Sequence, residues 1–222
     1  MPGRWGSRRR FDAGRSSRGR RHGLNRWAMS AIRLAWSTHD EEMMLQPDET
    51  RIESNRLALA PFSANDADAT LACITPSLTR YMGWDPPANR ESFARIWQTW
   101  LHAQTSGTDY VFVIRQRDDG AFLGLVGVHH VKQAIPELGV WIREDRHREG
   151  IGREAVRLVV EWACMTLNVQ RFNYPVAEEN HPSRRIAESL GGTVTGHDET
   201  PKFVSAIYQI PVPATCESPG QA

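Results

Sequence analysis

The stretch His147-Arg148-Glu149-Gly150-Ile151-Gly152-Arg153 stands where a strand pattern gives way to a helix pattern. Upstream, Glu137-Leu138-Gly139-Val140-Trp141-Ile142 reads as a strand. Downstream, Val156, Val159, Val160, Ala163 and Leu167 share one face of a helix from about Gly152 to Leu167, and Glu154, Arg157 and Glu161 fall on its wet face. Gly150 and Gly152 occupy the junction. The start of a helix carries unpaired N–H groups and a partial positive charge, so anions bind there. Glycine lets a backbone approach such an anion without a Cβ in the way. Arg146, Arg148 and Arg153 add positive charge around the same spot. Neither familiar nucleotide loop fits, because there is no GxxxxGK[ST] and Ala155 replaces the third glycine of GxGxxG. From the residues alone the stretch is either a phosphate cradle or an ordinary strand-to-helix turn.

The pattern extends in both directions. Arg56-Leu57-Ala58-Leu59-Ala60-Pro61-Phe62 alternates as a strand, and Asn65-Asp66-Ala67-Asp68 offers helix-capping residues. Residues 89–103 form a second helix with Phe93, Ile96, Trp97 and Trp100 at helical spacing. Tyr110-Val111-Phe112-Val113-Ile114 and residues 122–128 are strands around an Asp119-Gly120 turn. After the long helix, Arg171-Phe172-Asn173-Tyr174-Pro175-Val176 is a strand. A short helix over 183–190 is stopped by Gly191-Gly192. Residues 193–195 and 203–210 close the fold as a hairpin. The order β-α-α-β-β-β-α-β-α-β-β predicts an α+β fold, a mixed sheet with helices on its faces.

Composition bounds the function. The chain has 222 residues and a net charge of +1, but residues 1–29 hold nine Arg, one Asp, no Lys and no Glu, so the arm carries +8 and the remainder −7. The acidic body argues against a nucleic-acid binder. The arm (Arg, Gly and Ser, with few apolar residues) is expected to be disordered. It is read either as a weak RNA or ribosome contact or as a solvated tail preceding a start at Met29. Ser7-Arg8-Arg9-Arg10-Phe11 resembles a twin-arginine signal, but Asp12-Ala13-Gly14-Arg15 follows where an apolar stretch is required. Cys73, Cys164 and Cys216 are odd in number and widely spaced with no CxxC pair, which argues against a disulfide framework and against a zinc site and suits a reducing cytoplasm. No apolar run reaches the roughly 18 residues of a membrane span. The expected organisation is a disordered arm and linker over 1–50, one domain over 51–211, and a flexible tail over 212–222.

Four blocks together resemble the GNAT superfamily of N-acetyltransferases. The superfamily signature [Q/R]-x-x-G-x-[G/A] lies between the fourth strand and the following helix. Here it reads His147-Arg148-Glu149-Gly150-Ile151-Gly152, with His147 departing at the first position. Asn180-His181-Pro182-Ser183, with Ala187-Glu188-Ser189-Leu190-Gly191-Gly192, looks like the N-x-x-S…A-x-x-L-G block of the branch that acetylates ribosomal-protein N-termini. Glu53-Ser54-Asn55-Arg56-Leu57 and Met82-Gly83-Trp84-Asp85-Pro86-Pro87 look like the same branch. The resemblance implies a mostly antiparallel sheet of six to seven strands flanked by about four helices. It also implies acetyl-CoA as co-substrate, with no metal.

The resemblance further assigns roles. Acetyl-CoA would contact the backbone of Val140, Trp141 and Ile142, the loop His147, Arg148, Glu149, Gly150, Ile151, Gly152 and Arg153, and Asn180. Ser183 looks like the hydroxyl that protonates the leaving sulfur, or else a helix N-cap. Glu137 begins the strand beside the cleft, where a carboxylate accepts the amine proton through water, or else it is a solvated strand end. A related branch uses a Glu and a Tyr at positions that match Pro175 and Ala187, which can do neither job. Arg80, Tyr81 and Trp84 are candidates to line the acceptor side. His129 and His130, adjacent in a strand, point to opposite faces and cannot chelate one ion. Cys164 reads as core, and Trp97, Trp100 and Trp162 read as packing. The expected activity is acetyl transfer to a primary amine, a protein N-terminal α-amine first, by a cytoplasmic monomer or homodimer. A small-molecule (antibiotic or polyamine) acetyltransferase and a non-catalytic acyl-CoA-binding or ribosome-associated module are the alternatives.

Overall fold

The computed structural model describes residues 50–213; the arm, nearly all of the linker and the tail from residue 214 lie outside the described residues. Eight strands and four α-helices alternate in the order β1 (Ile52–Glu53), β2 (Leu57–Pro61), α1 (Ala67–Cys73), α2 (Arg90–Thr105), β3 (Tyr110–Gln116), β4 (Phe122–His129), β5 (Glu137–Ile142), α3 (Ile151–Leu167), β6 (Arg171–Ala177), α4 (His181–Ser189), β7 (Thr193–Glu199) and β8 (Val204–Pro211). They build one sheet with strand order β1-β2-β3-β4-β5-β6-β8-β7. Every neighbouring pair is antiparallel except β5 and β6. The mixed, mostly antiparallel architecture expected from the sequence is therefore present. The additional strand is β1, whose two residues are too short to show any period.

Both faces of the central strands are covered. Along β4 all eight residues are buried, which is why β3 and β4 read as apolar runs rather than as an alternation. Beneath α3 and α4, the core contains Phe112, Val126, Leu138, Val156, Val159 and Tyr174. Beneath α1 and α2 it contains Phe62, Phe93, Trp100, Val113, Leu125 and Trp141. Trp162 meets Phe112 edge-on at 4.9 Å and Trp100 meets Phe62 at 5.2 Å, so these indoles are packing residues. The turn at Asp119-Gly120 forms as expected, with Gly120 at φ 71°.

Two features of this frame position the site. The β5–β6 ladder contains a single registered pair, Glu137 with Asn173, reinforced by Asn173 N–H donating to Pro136 O at 2.8 Å. Beyond that pair the strands part, whereas β5 remains paired with β4 from Glu137 to Ile142. The second feature is the start of α3. Helices α2 and α4 are capped by Asn89 and Asn180, whose side chains accept from Ser92 N–H and Ser183 N–H, while α3 begins at Gly150 with no side-chain cap. The long helix thus presents bare N–H groups at its first turn.

Candidate active site

The open edge of β5 runs over residues 138–142. Successive strand residues point to opposite faces and turn their backbone polar groups to opposite edges. At the far end of this edge the imidazole Nε2 of His147 donates to the Ile142 carbonyl at 2.7 Å. His147, the position where the loop signature departs, therefore fastens the loop to the end of the strand. Val140, two residues back, turns its N–H and C=O to the same edge as Ile142. The Trp141 side chain belongs to the α1–α2 core, packed 5.9 Å from Phe122, and its backbone polar groups turn to β4, where it pairs with Leu125, so the cleft edge is left to Val140 and Ile142.

Between Ile142 and α3 the chain makes a tight reversal. Arg148 at φ 69° and Gly150 at φ 77° both lie in the left-handed region; Gly150 adopts it without a Cβ penalty and Arg148 at some cost. Gly152 plays a different part from the one its spacing suggested. A Cβ there would come within 3.2 Å of Ile186 Cδ1 and 3.6 Å of Ile142 Cγ1, so its missing side chain lets α3 pack against α4 and β5. The charges are also less free than the sequence implied. Arg146 pairs with Glu149, Nε to Oε1 at 2.9 Å and Nη2 to Oε2 at 3.0 Å, while Arg148 and Arg153 are exposed.

Sequence reading placed Glu154 on the wet face of α3. Instead its carboxylate accepts from Ser54 Oγ at 2.6 Å and from Arg56 Nε at 3.0 Å, and Arg56 also donates to Glu149 O at 3.4 Å. Burial alone would raise the Glu154 carboxyl, but the Ser54 and Arg56 bonds outweigh it and hold it below its ordinary value. Ser54 and Arg56 thus brace the loop and the first turn of α3 from far away in the chain.

Glu137 and Ser183 approach the split from opposite sides. Leu138 and Tyr174 belong to the core under α3 and α4, so Glu137 points to the α1–α2 face, cross-strand from His129. Burial pushes the Glu137 carboxyl up; His129 and His130 oppose this, and Asp198 and Asp109 add to it. His129 itself is buried, its Nδ1 3.1 Å from Asp109 Oδ1, and His130 lies beyond the strand at φ 57°. Among the described residues no group of His, Cys, Asp and Glu is placed to hold a metal ion. Cys164 is buried in α3.

Ser183 is not the N-cap of α4. Asn180 holds that position, its Oδ1 accepting from Ser183 N–H at 3.3 Å, because the helix starts at His181 with Pro182 in its first turn. The Ser183 hydroxyl is instead 2.7 Å from Tyr174 Oη. Burial pushes the Tyr174 phenol up to about 12, against the opposing pull of that hydrogen bond. Sequence reading missed Tyr174, since a buried tyrosine in an apolar strand looks like any core aromatic. It follows Asn173, the β6 partner of Glu137, so both candidate groups flank the apex of the same split. Ala187 is fully buried and Pro175 pairs with Ile207 on β8, leaving neither position a role in proton transfer.

The acceptor-side candidates come from the segment between α1 and α2. Arg80 stacks over Tyr81 at 5.0 Å and pairs with Glu179 at 3.6 Å. Trp84 is half-buried beside them in sequence.

A family model described as acetyltransferase (GNAT) domain matches residues 56–193. The chain belongs to the GNAT acetyltransferase family. An N-acetyltransferase of Bacillus subtilis, YoaA, whose role is uncharacterized, is 27% identical over 143 residues, which cover 63% of this chain and 81% of that protein. Among solved structures, RimL, a ribosomal L7/L12 alpha-N-protein acetyltransferase in complex with coenzyme A, matches with a TM-score of 0.65 at 15% identity over 73% of this chain and 98% of its own. A ribosomal-protein-S5-alanine acetyltransferase from Vibrio fischeri matches at 0.63 and 15% over 75% and 98%. At such identities these structures speak for the fold. The GNAT domain is thus that of an N-acetyltransferase. Among the described residues no helix is long and apolar enough to cross a membrane.

Proposed function

We propose that this protein transfers the acetyl group of acetyl-CoA to the α-amine of a protein N-terminus by direct attack on the thioester. What supports the reading most is the arrangement at the apex of the split, with Glu137 on one face and the Tyr174–Ser183 pair on the other. An amine that approaches from the α1–α2 face would meet a carboxylate, and a thiolate that departs on the opposite face would meet a hydroxyl. The β5 edge over residues 138–142 suits the amide-bearing pantetheine arm, with Val140 N–H available to polarise the thioester carbonyl. The first-turn amides of α3 suit the pyrophosphate, with Arg148 and Arg153 nearby.

The proton steps follow from acidity. The amine nitrogen bonds to the carbonyl carbon, the C–S bond breaks, and one proton leaves the nitrogen while the thiolate takes one up. At pH 7 roughly one α-amine in ten is already neutral, against about one lysine in 2,500. A weak base held in a buried setting, as Glu137 is, serves the first better than the second. The hydroxyl partner is a poor full proton donor. Tyr174 at about 12, and serine above it, are far weaker acids than a thiol near 8.5. Ser183 therefore steadies the thiolate by hydrogen bonding, and the net proton comes from solvent. When Tyr174 donates to Ser183 Oγ, the serine hydrogen is left to point at the sulfur.

The reading puts the protein in the cytoplasm, as the odd number and wide spacing of its cysteines suggest. The test is an acceptor screen read by product mass spectrometry and thiol release. Peptides bearing N-terminal Ser or Ala are expected to gain 42 Da, the mass that replaces one amine hydrogen by acetyl. Modification of polyamines or aminoglycosides alone would move the protein to the small-molecule class. Tight CoA binding with no transfer to any amine would make it a binding module.

A further inference from the structure

We propose that Lys202 is a positioning residue for the acceptor, tying the wall that carries Arg80, Tyr81 and Trp84 to the β7–β8 turn. The idea rests on the acetyl-transfer reading above. Lys202 Nζ donates to Thr79 O at 3.1 Å, to Trp84 O at 3.1 Å and to Asp85 Oδ1 at 2.9 Å. An ammonium has three hydrogens and no lone pair, and here every hydrogen goes to one segment more than a hundred residues away in the chain. Such a group cannot act as a base or deliver a fourth bond to substrate; it can fix where two pieces of backbone stand.

The place of the tie gives it its consequence. β6 ends at Ala177, which pairs with Ser205, and Glu178 N–H donates to Val204 O. The turn holding Lys202 therefore lies at the C-terminal end of β6. β5 runs parallel to β6, so this is also the end at which the two strands have parted. On the other bank, Thr75 Oγ1 donates to Glu144 Oε2 at 2.7 Å, just past the end of β5. Residues 75–85 thus bridge the mouth of the split, anchored at Glu144 on the β5 side and at Lys202 on the β8 side. A second tie, Arg80 to Glu179, has side chains 66% and 75% exposed, and such pairs hold little. The Lys202 side chain is 29% exposed, and one of its acceptors belongs to Thr79, which is 1% exposed. Lys202 is the stronger of the two anchors on that bank, and it sets the width of the acceptor entrance.

The test compares Lys202→Met with the wild-type protein by steady-state kinetics, CoA titration and amide hydrogen exchange. Lys202→Met is expected to raise the acceptor KM about tenfold while changing kcat and CoA affinity less than about twofold. Exchange over residues 79–85 is expected to accelerate without global unfolding. Lys202→Arg, which keeps a multiple donor, should recover part of the KM. Asp85→Asn, which weakens only one exposed contact, covers the case in which the methionine variant does not fold, and should move KM the same way by a smaller factor. An unchanged acceptor KM with faster exchange overturns the proposal, as does a KM that rises equally for acceptor and CoA. Failure of the wild-type protein to acetylate any amine is seen before a variant is made, and overturns the activity on which this role depends.

Discussion

Tyr174 Oη and Ser183 Oγ lie 2.7 Å apart where β6 meets the first turn of α4, with the phenol fully inside the protein. The contact joins a residue that sequence singles out to one that it conceals. It also turns an ambiguous serine, which can also be read as a helix cap, into a hydroxyl with a fixed partner.

Removing either hydroxyl should therefore slow the chemical step more than it weakens CoA. Tyr174→Phe and Ser183→Ala are each expected to lower kcat about tenfold, and the double variant by little more, because the two act as one unit. Single-turnover kinetics measures this. Additive losses would separate the two residues. Tyr174 also couples to pH through stability. Its phenol is raised to about 12, so its contribution is whole below the ordinary value near 10 and fades as pH rises from there through about 12. Denaturation midpoints across that alkaline range should fall in the wild type and less so in Tyr174→Phe.

Glu137, as the proposed base, should set the acid side of the rate profile. Burial raises its carboxyl, so the carboxylate that accepts a proton is depleted at a higher pH than for an exposed glutamate. The value of kcat/KM should rise with pH through this raised pKa, and Glu137→Gln should lower the plateau and abolish that limb. An unchanged profile in the variant would show that water takes the proton unaided.

His147 holds the Ile142 carbonyl at 2.7 Å. His147→Ala leaves that carbonyl without its donor, a loss of about 1 kcal/mol in stability, and should weaken CoA several-fold by loosening the loop. His147→Gln, which can supply an N–H of similar reach, should restore most of the affinity. Isothermal titration with CoA and urea denaturation distinguish the two effects.

Gly150 and Gly152 should fail differently. Gly150→Ala forces a side chain into φ 77°, a cost of about 1 kcal/mol localised in the loop. Gly152→Val drives two branches toward Ile186 and Ile142, and should lower the melting temperature as well as the CoA affinity, at about 1–3 kcal/mol of overpacking. Differential scanning calorimetry with and without CoA reads both.

Much of this was legible in advance because periodicity reports burial. The stripe Val156, Val159, Val160 and Ala163 marked α3, and the apolar runs of β3 and β4 marked strands covered on both faces. The loop at residues 147–153 was legible because glycine spacing at a strand-to-helix junction has few other uses. What escaped was partner choice. Glu154 looks solvated on a helical wheel, and only the fold brings Ser54 and Arg56 from a hundred residues away to meet it. Tyr174 and Lys202 escaped for the same reason, since a hydrogen bond between distant segments leaves no period in the chain. Asn180 took the cap from Ser183 because Pro182 fits the first turn and moves the helix start back to His181.

The single registered pair between β5 and β6 makes the sheet an unfinished object. Interior strand edges are ordinarily satisfied on both sides, and an open one is a template for whatever extended polar chain can lie along it. A ligand that lays amides along residues 138–142 would act as a temporary ninth strand, binding the folded protein and not the unfolded chain. The melting temperature should then track the logarithm of ligand concentration. The enzyme's lifetime in a cell would follow the supply of its own acyl donor, coupling how much catalyst persists to how much fuel there is to transfer.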